Sequence, residues 1–330
     1  MKLATIRHQR ERDGRLVVVN REMTRCVPVP DIALTMQAAL EDWKNIKHDL
    51  HRIYKALNYD NLLPDAINLR LEDVMAPLPR SYQWLDGSAY VHHVELTRRS
   101  RGAHMPELFW KEPLMYQGCS DRFLAWNEDI VAESKNFGVD FESEVAVILD
   151  DVQQGTGKPE AVEHIALLML VNDVSLRHLI PHELSKGFGF VQSKPPCSCS
   201  PIAVTPDELG AGWHNSKVHF SICSYVNQQW VGSPNAGRDM VFDFADLIVH
   251  ASRTRSLHAG TIIGSGTVSN KDSKTGSSCL VEKRMLEAQE FGEARSSYLL
   301  NNDRVRIEML DAEAASIFGS IDQKIKIEVA

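Results

Sequence analysis

Glu142 and Glu144 stand one residue apart in the run DFESEVAVIL, where a β-branched, strand-like segment begins. In a strand, side chains at i and i+2 leave from the same face, so both carboxylates point to one place. Like charges held together at the edge of a core repel, and a divalent cation is the simplest way to keep them there. The alternative for this pair taken alone is a solvated acidic edge. Three further segments carry related chemistry. DGSAYVHHVEL contains Asp86, His92 and His93; in VNDVSLRHL, Asp173 and Arg177 directly follow the apolar run HIALLMLV; in QSKPPCSCS, Lys194 precedes two prolines that fix its backbone. Asp86, Glu142, Glu144 and Asp173 offer only oxygen ligands, which selects Mg²⁺, Ca²⁺ or Mn²⁺ over zinc. Four carboxylates around one divalent ion leave two negative charges in excess, which Arg177 and Lys194 help to balance while still able to grip an anionic substrate. Arg177 also lies four residues after Asp173, the spacing of an ordinary helical ion pair, and that contact is its alternative role. His92 reads as a strand neighbour of His93 that faces the other way.

These residues need a scaffold, and the hydrophobic pattern indicates one. The first thirty or so residues alternate strand-like runs (LATI, RLVVVN) with charged turns. Trp43, Ile46, Leu50, Ile53, Tyr54 and Leu57 recur at helical spacing, which predicts an amphipathic helix over residues 43–57, closed by Leu62, Leu63 and Pro64. Prolines in LEDVMAPLPRSYQW mark a boundary, giving a small N-terminal domain over residues 1–78 and a catalytic domain over residues 79–330. Beyond that boundary EVAVIL, HIALLMLV, VHFSICSYV, VRIEML and KIKIEV read as strands, interrupted by one clear helix around Phe244, Leu247, Ile248 and Ala251 with Asp243 as its N-cap. Many strands and few helices predict a strand-dominated α+β fold rather than a doubly wound sheet.

Composition narrows the function classes. With 43 % hydrophobic and 24 % charged residues over 330 positions, the chain is long enough for a large buried core. The net charge of −8 provides no basic surplus for nucleic acid or anionic lipid, so neither is expected as a partner. The charged N-terminus does not resemble a signal peptide and no run approaches the ~18 apolar residues of a spanning helix, so the expected location is the cytoplasm. Six cysteines without a pairing framework, Cys197 and Cys199 among them, read as free thiols. GSGTVS lacks the following helix and Lys-Ser/Thr pair of a nucleotide loop.

Taken together, DGSAYVHH, MYQG, FESE, NDVSLR, SK and GSGTVS stand in the order and spacing of the fumarylacetoacetate hydrolase family, which the chain resembles from about residue 80 to residue 285. The resemblance implies a mixed β-sandwich roll in the C-terminal domain, a smaller N-terminal domain, a homodimer, and a divalent-metal site acting on 2-keto and 1,3-diketo acids. Carried over by position, Asp86, Glu142, Glu144 and Asp173 would be the metal ligands, His93 the general base, and Glu282 the carboxylate that orients it. Tyr116, Arg177, Lys194 and Thr267 match substrate-contacting positions. Where the hydrolase has a glutamine three residues after its arginine, this chain has Ile180. The implied reaction is hydrolysis of a carbon–carbon bond in fumarylacetoacetate or a related acylpyruvate, as in tyrosine catabolism, with His93 activating water and Lys194 stabilising the oxyanion. Its alternative is a 2-keto acid decarboxylase, isomerase or hydratase of the same superfamily. A catalytically silent metal-binding scaffold is the reading from another class.

Overall fold

A computed structural model describes residues 1–59, 63–99, 102 and 104–328. All seven residues of the strand Ser143–Leu149 are buried, as are all eight of its antiparallel neighbour Ile165–Asn172. Strands covered on both faces need apolar side chains at every position, which is why EVAVIL and HIALLMLV are continuous runs rather than alternating ones. They form the centre of an eleven-stranded sheet. On one side the sheet continues through Ala203–Val204 to Lys2–Ile6, Arg15–Val19 and Arg25–Pro28; on the other it continues through Ile262–Gly264 to Trp84–Gly87 and Met115–Gln117. The N-terminal strands thus belong to the same sheet as the centre, joined where Lys2 and Leu3 pair with Val204 and Ala203.

The two faces of the central strand serve different cores. Val145 and Val147 pack with Ile222, Val305, Ile307 and Ile321, which belong to a second, five-stranded sheet. Ala146 and Ile148 point the other way, into a core closed by Leu50, Tyr54 and Leu57 of the helix Trp43–Tyr59. Two sheets sharing one core, with parallel and antiparallel pairs in each system, make the strand-dominated α+β architecture expected. Asp243 caps the helix Phe244–Ser252 in a reciprocal capping box with Asp246. Of the residues expected to close the first long helix, Leu62 lies outside the described residues.

Helices beyond residue 78 are more numerous than the sequence pattern suggests. Val91–Arg99, Lys158–Glu163, Ile180–Ser185 and Leu280–Phe291 are helical as well. The first of these corrects the reading of His92 and His93 as strand neighbours: the chain leaves the strand Trp84–Gly87 and both histidines lie in the opening turn of a helix. Only Val91 and Leu96 of that helix are buried, so its apolar periodicity is too sparse to register beside β-branched and aromatic neighbours. No helix among the described residues is long and apolar enough to cross a membrane.

Candidate active site

Strand register gathers the acids. Asp86 lies opposite Gly264, and Gly264 lies opposite Ala146, two residues beyond Glu144. Alternation therefore sends Asp86 and Glu144 to the same sheet face from strands separated by one intervening strand. Glycine on that intervening strand is a steric requirement: a Cβ at Gly264 would run into the Asp86 carboxylate and the Trp84 ring. Two residues on, Gly266 takes a left-handed φ of +77°, where a Cβ would meet the Gly87 carbonyl, and its N–H donates to Asp86 Oδ1 at 3.1 Å. The glycines of GSGTVS thus form a cradle for a carboxylate. Asp173 arrives from the end of the strand Ile165–Asn172, its own N–H bonded to the Glu142 carbonyl.

Asp86, Glu144 and Asp173 bring carboxylate oxygens within 4.8 Å of one another, all buried. Both oxygens of Glu144 are buried without a hydrogen-bond partner among the described residues. Burial, then the charge of Asp173, pushes the Asp86 carboxyl well above its usual range; burial, then Asp86 and Asp173, does the same to Glu144. Oxygen ligands alone, those of Glu144 without a protein donor among the described residues, fit a hard divalent cation. Glu142 faces the same region but is engaged by cations: Oε1 accepts from Arg177 at 2.5 Å and Oε2 from Lys194 Nζ at 2.6 Å. Burial opposes its ionisation, yet Arg177 and Lys194 hold its carboxyl far below the usual range. Lys194 Nζ also donates to Asp173 Oδ2 at 2.5 Å, so the ammonium bridges two of the four acids expected as ligands. Asp173 receives two further protons, from the Tyr116 hydroxyl on Oδ2 at 2.7 Å and from the Cys197 thiol on Oδ1 at 2.9 Å.

Arg177 does not pair with Asp173, the helical contact held open for it. Ser175–Leu176 is a short strand against Val139–Asp140, which turns Arg177 toward Asp140; its Nε donates to Asp140 Oδ2 at 2.8 Å. Asp140 also accepts from the backbone N–H groups of Leu280 and Val281, the first residues of the helix that carries Glu282. One buried carboxylate therefore ties the arginine to the helix N-terminus. Asp140 was missed as a site residue, although it continues the acidic alternation of DFESE by two positions and could have been found that way. With Asp140 included, five buried carboxylates face the two cations Arg177 and Lys194; when all are ionised, a divalent cation brings the excess to a single negative charge.

The helices Val91–Arg99 and Leu280–Phe291 hold the second group. His93 Nδ1 lies 2.6 Å from Glu282 Oε2, and Glu282 Oε1 accepts from the Ser269 hydroxyl at 2.9 Å. An ionised carboxylate only accepts, so Nδ1 carries the proton and Nε2 is left as the basic nitrogen. Cys279 completes a His93–Cys279–Glu282 cluster, but burial, then Asp140, pushes its thiol well above the ordinary range, which disfavours the thiolate a metal would need. A cavity of about 510 Å³ opens over both groups, lined by Asp86, His93, Tyr116, Glu142, Arg177, Lys194, Thr267 and Ile180. Glu144, Asp173 and Glu282 stand behind this lining, almost wholly buried. His92, beside His93, is absent from the lining.

The chain matches the family described as fumarylacetoacetate (FAA) hydrolase C-terminal over residues 83–326, and the fumarylacetoacetase N-terminal domain 2 over residues 1–80. It belongs to the fumarylacetoacetate hydrolase family. Among curated relatives, the human mitochondrial oxaloacetate tautomerase FAHD2B is 28 % identical over 158 residues, 48 % of each chain. The 2,4-didehydro-3-deoxy-L-rhamnonate hydrolase of Sphingomonas sp. (strain SKA58) is 28 % identical over 159 residues, 47 % of this chain and 53 % of that protein. The matched segment thus spans about half the length of these relatives. Among solved structures, the maleylpyruvate hydrolase of Sphingobium sp. SYK-6, in complex with manganese(II) and pyruvate, superposes with a TM-score of 0.65 at 16 % identity, covering 99 % of both chains. At that identity the likeness concerns the fold.

Proposed function

We propose that this chain is a divalent-metal-dependent enzyme that takes a 2-keto or 1,3-diketo acid through its enol form, tautomerising or isomerising it. One observation carries the reading: the Asp86–Glu144–Asp173 carboxylates converge, with both oxygens of Glu144 lacking a donor among the described residues, under a cavity that Asp86 and the Glu282-bound His93 line. Asp86, Glu144 and Asp173 would hold the ion, with Glu142 at its margin, and the ion would supply Lewis-acid polarisation of the keto oxygen. In the enol-to-keto direction His93 Nε2 would take the proton from the enol hydroxyl and pass it to the adjacent carbon, with the opposite transfer in reverse, and Glu282 keeps the ring in the tautomer this needs. Lys194 and Arg177 offset the negative charge of the carboxylate head, and Tyr116 and Thr267 position it. The oxaloacetate tautomerase among the relatives supports this reading over cleavage.

Hydrolysis of a carbon–carbon bond is the second reading, favoured by the His93–Glu282 pair itself, because activation of water needs an oriented base. Two assays with Mg²⁺ or Mn²⁺ decide between them. Enol-to-keto conversion of 2-keto acids, a four-carbon diacid and phenylpyruvate side by side, is followed by loss of enol absorbance, and acylpyruvates are followed by loss of the diketone band together with release of free acid. Tautomerisation without release of acid supports the first reading; stoichiometric acid replaces it with the second. Metal-loaded protein inactive in both assays overturns both. The same proposal assigns the chemistry to residues 79–330 and takes the working unit as a homodimer, which sedimentation of the purified protein tests.

A further inference from the structure

The cavity changes character from its floor to its mouth. At the floor Asp86 is 7 % exposed, Glu142 5 % and Lys194 7 %. Outward the walls become apolar: Ile180, then Phe190 and Phe109, and at the rim Leu114 and Leu184, which are 40 % and 42 % exposed. Phe190 stands edge-on to Tyr116 with ring centroids 5.2 Å apart, so the apolar wall begins directly beside the metal-site tyrosine. Two of the three lining cations are neutralised at the floor. Arg177 and Lys194 are engaged by Asp140, Glu142 and Asp173 at the floor. Arg98, the remaining cation among the described lining residues, lies over the Phe109 ring at 5.1 Å and its Nε donates to the His104 carbonyl at 2.9 Å. A ligand gripped by its keto-acid head at the floor meets apolar side chains where its other end follows Ile180, Leu114 and Leu184. A charged end there would lose water against side chains that return no hydrogen bond. A cavity of about 510 Å³ also matches the ~300–1,000 Å³ of sites that enclose larger ligands, more than a bare four-carbon keto diacid fills.

We propose that the substrate is a keto or diketo acid whose far end is an uncharged apolar group, an alkyl chain or an aromatic ring, seated against Ile180, Phe109, Leu114 and Leu184. This rests on the keto-acid reading above and adds the chemistry of the tail. Ile180 contributes directly, since an amide at that position would offer a polar partner at the first step beyond the head.

Binding rather than turnover tests it, so that the tail is read independently of the reaction. Calorimetric titrations of the Mn²⁺-loaded protein with pyruvate, 2-oxobutanoate, 2-oxohexanoate and 2-oxooctanoate should show Kd falling about three- to fourfold per methylene until the rim is reached. The diacid 2-oxoadipate, equal in length to 2-oxohexanoate, should bind at least tenfold more weakly than it. Leu184→Asp, an exposed rim position, and Ile180→Gln should flatten the series, with the largest loss at 2-oxooctanoate. A flat series, or 2-oxoadipate binding as well as 2-oxohexanoate, overturns the apolar tail and leaves the keto-acid head standing. Failure of every 2-oxo acid to bind, with Mn²⁺ bound, removes the head reading and the tail with it.

Discussion

Glu144→Gln isolates the electrostatics of the site. Glu144 is wholly buried, its two oxygens have no donor among the described residues, and its carboxylate oxygen lies within 4.8 Å of those of Asp86 and Asp173. At an effective dielectric of about 20, two unit charges at that separation repel by about 3–4 kcal/mol. Burial and the neighbouring acids favour proton uptake by this group, which relieves part of the repulsion. About 1–3 kcal/mol of metal-free destabilisation therefore remains to be removed by a neutral amide that can also donate to Asp86. Over 330 residues an unfolding entropy of about 2.1 cal/mol/K per residue converts this to a Tm rise of roughly 2–4 °C in chelator. The wild type should gain roughly 4 °C when Mn²⁺ is present at about a hundredfold its Kd, since that concentration contributes ~2.7 kcal/mol. The variant should lose most of this gain with its ligand. Thermal unfolding followed by circular dichroism, with chelator and with Mn²⁺, reads both quantities. A variant less stable than wild type in chelator, yet shifted as far by Mn²⁺, would refute a cation site built on Glu144.

Three further outcomes follow from the same contacts. His93→Gln should lower turnover about 10²–10⁴-fold with Mn²⁺ affinity unchanged, because the ring works as a base outside the carboxylate cluster; parallel kinetics and Mn²⁺ titration by electron paramagnetic resonance check the separation. Cys197→Ala removes the thiol that donates to Asp173 Oδ1 and should weaken Mn²⁺ binding about 10–100-fold, with Cys197→Ser restoring most of it; an unchanged alanine variant would make the thiol a packing group. Glu287 accepts from Ser296 N, Ser296 Oγ, Arg295 N and Lys283, and although burial opposes ionisation these donors lower its pKa from 4.5 to about 2. A depressed carboxylate contributes stability above pH 4.5 that is lost as pH falls toward 2, so Glu287→Gln should cost on the order of 1–2 kcal/mol at neutral pH and nothing measurable near pH 2, as chemical denaturation at a series of pH values would show.

Much of the scaffold is legible in the chain because its signals are local. EVAVIL and HIALLMLV read as buried strands from their own composition, and Trp43 to Leu57 as a helix from its own spacing. Glu142 and Glu144 announce a shared direction through an alternation that any strand obeys. The ordered motifs add a family, and with it residues such as Tyr116 and Glu282 that no local pattern would have singled out. His93 shows the limit of that reading. His93 stands 2.6 Å from Glu282, but the helix that carries it does not read as one in the chain, because a short helix with two buried residues leaves almost no periodic trace.

Which acids meet, and which are already engaged, shows only in the folded chain. Asp86 reaches Glu144 because the strand between them presents a glycine at the point of contact, and register across three strands cannot be read from any one of them. Arg177 is turned to Asp140 rather than Asp173 by a two-residue strand pairing, and Lys194 comes to rest between Glu142 and Asp173. Sequence determines the charges and their local direction. Their partners are chosen by long-range packing, where desolvation forces every buried charge to find an opposite one or share a cation.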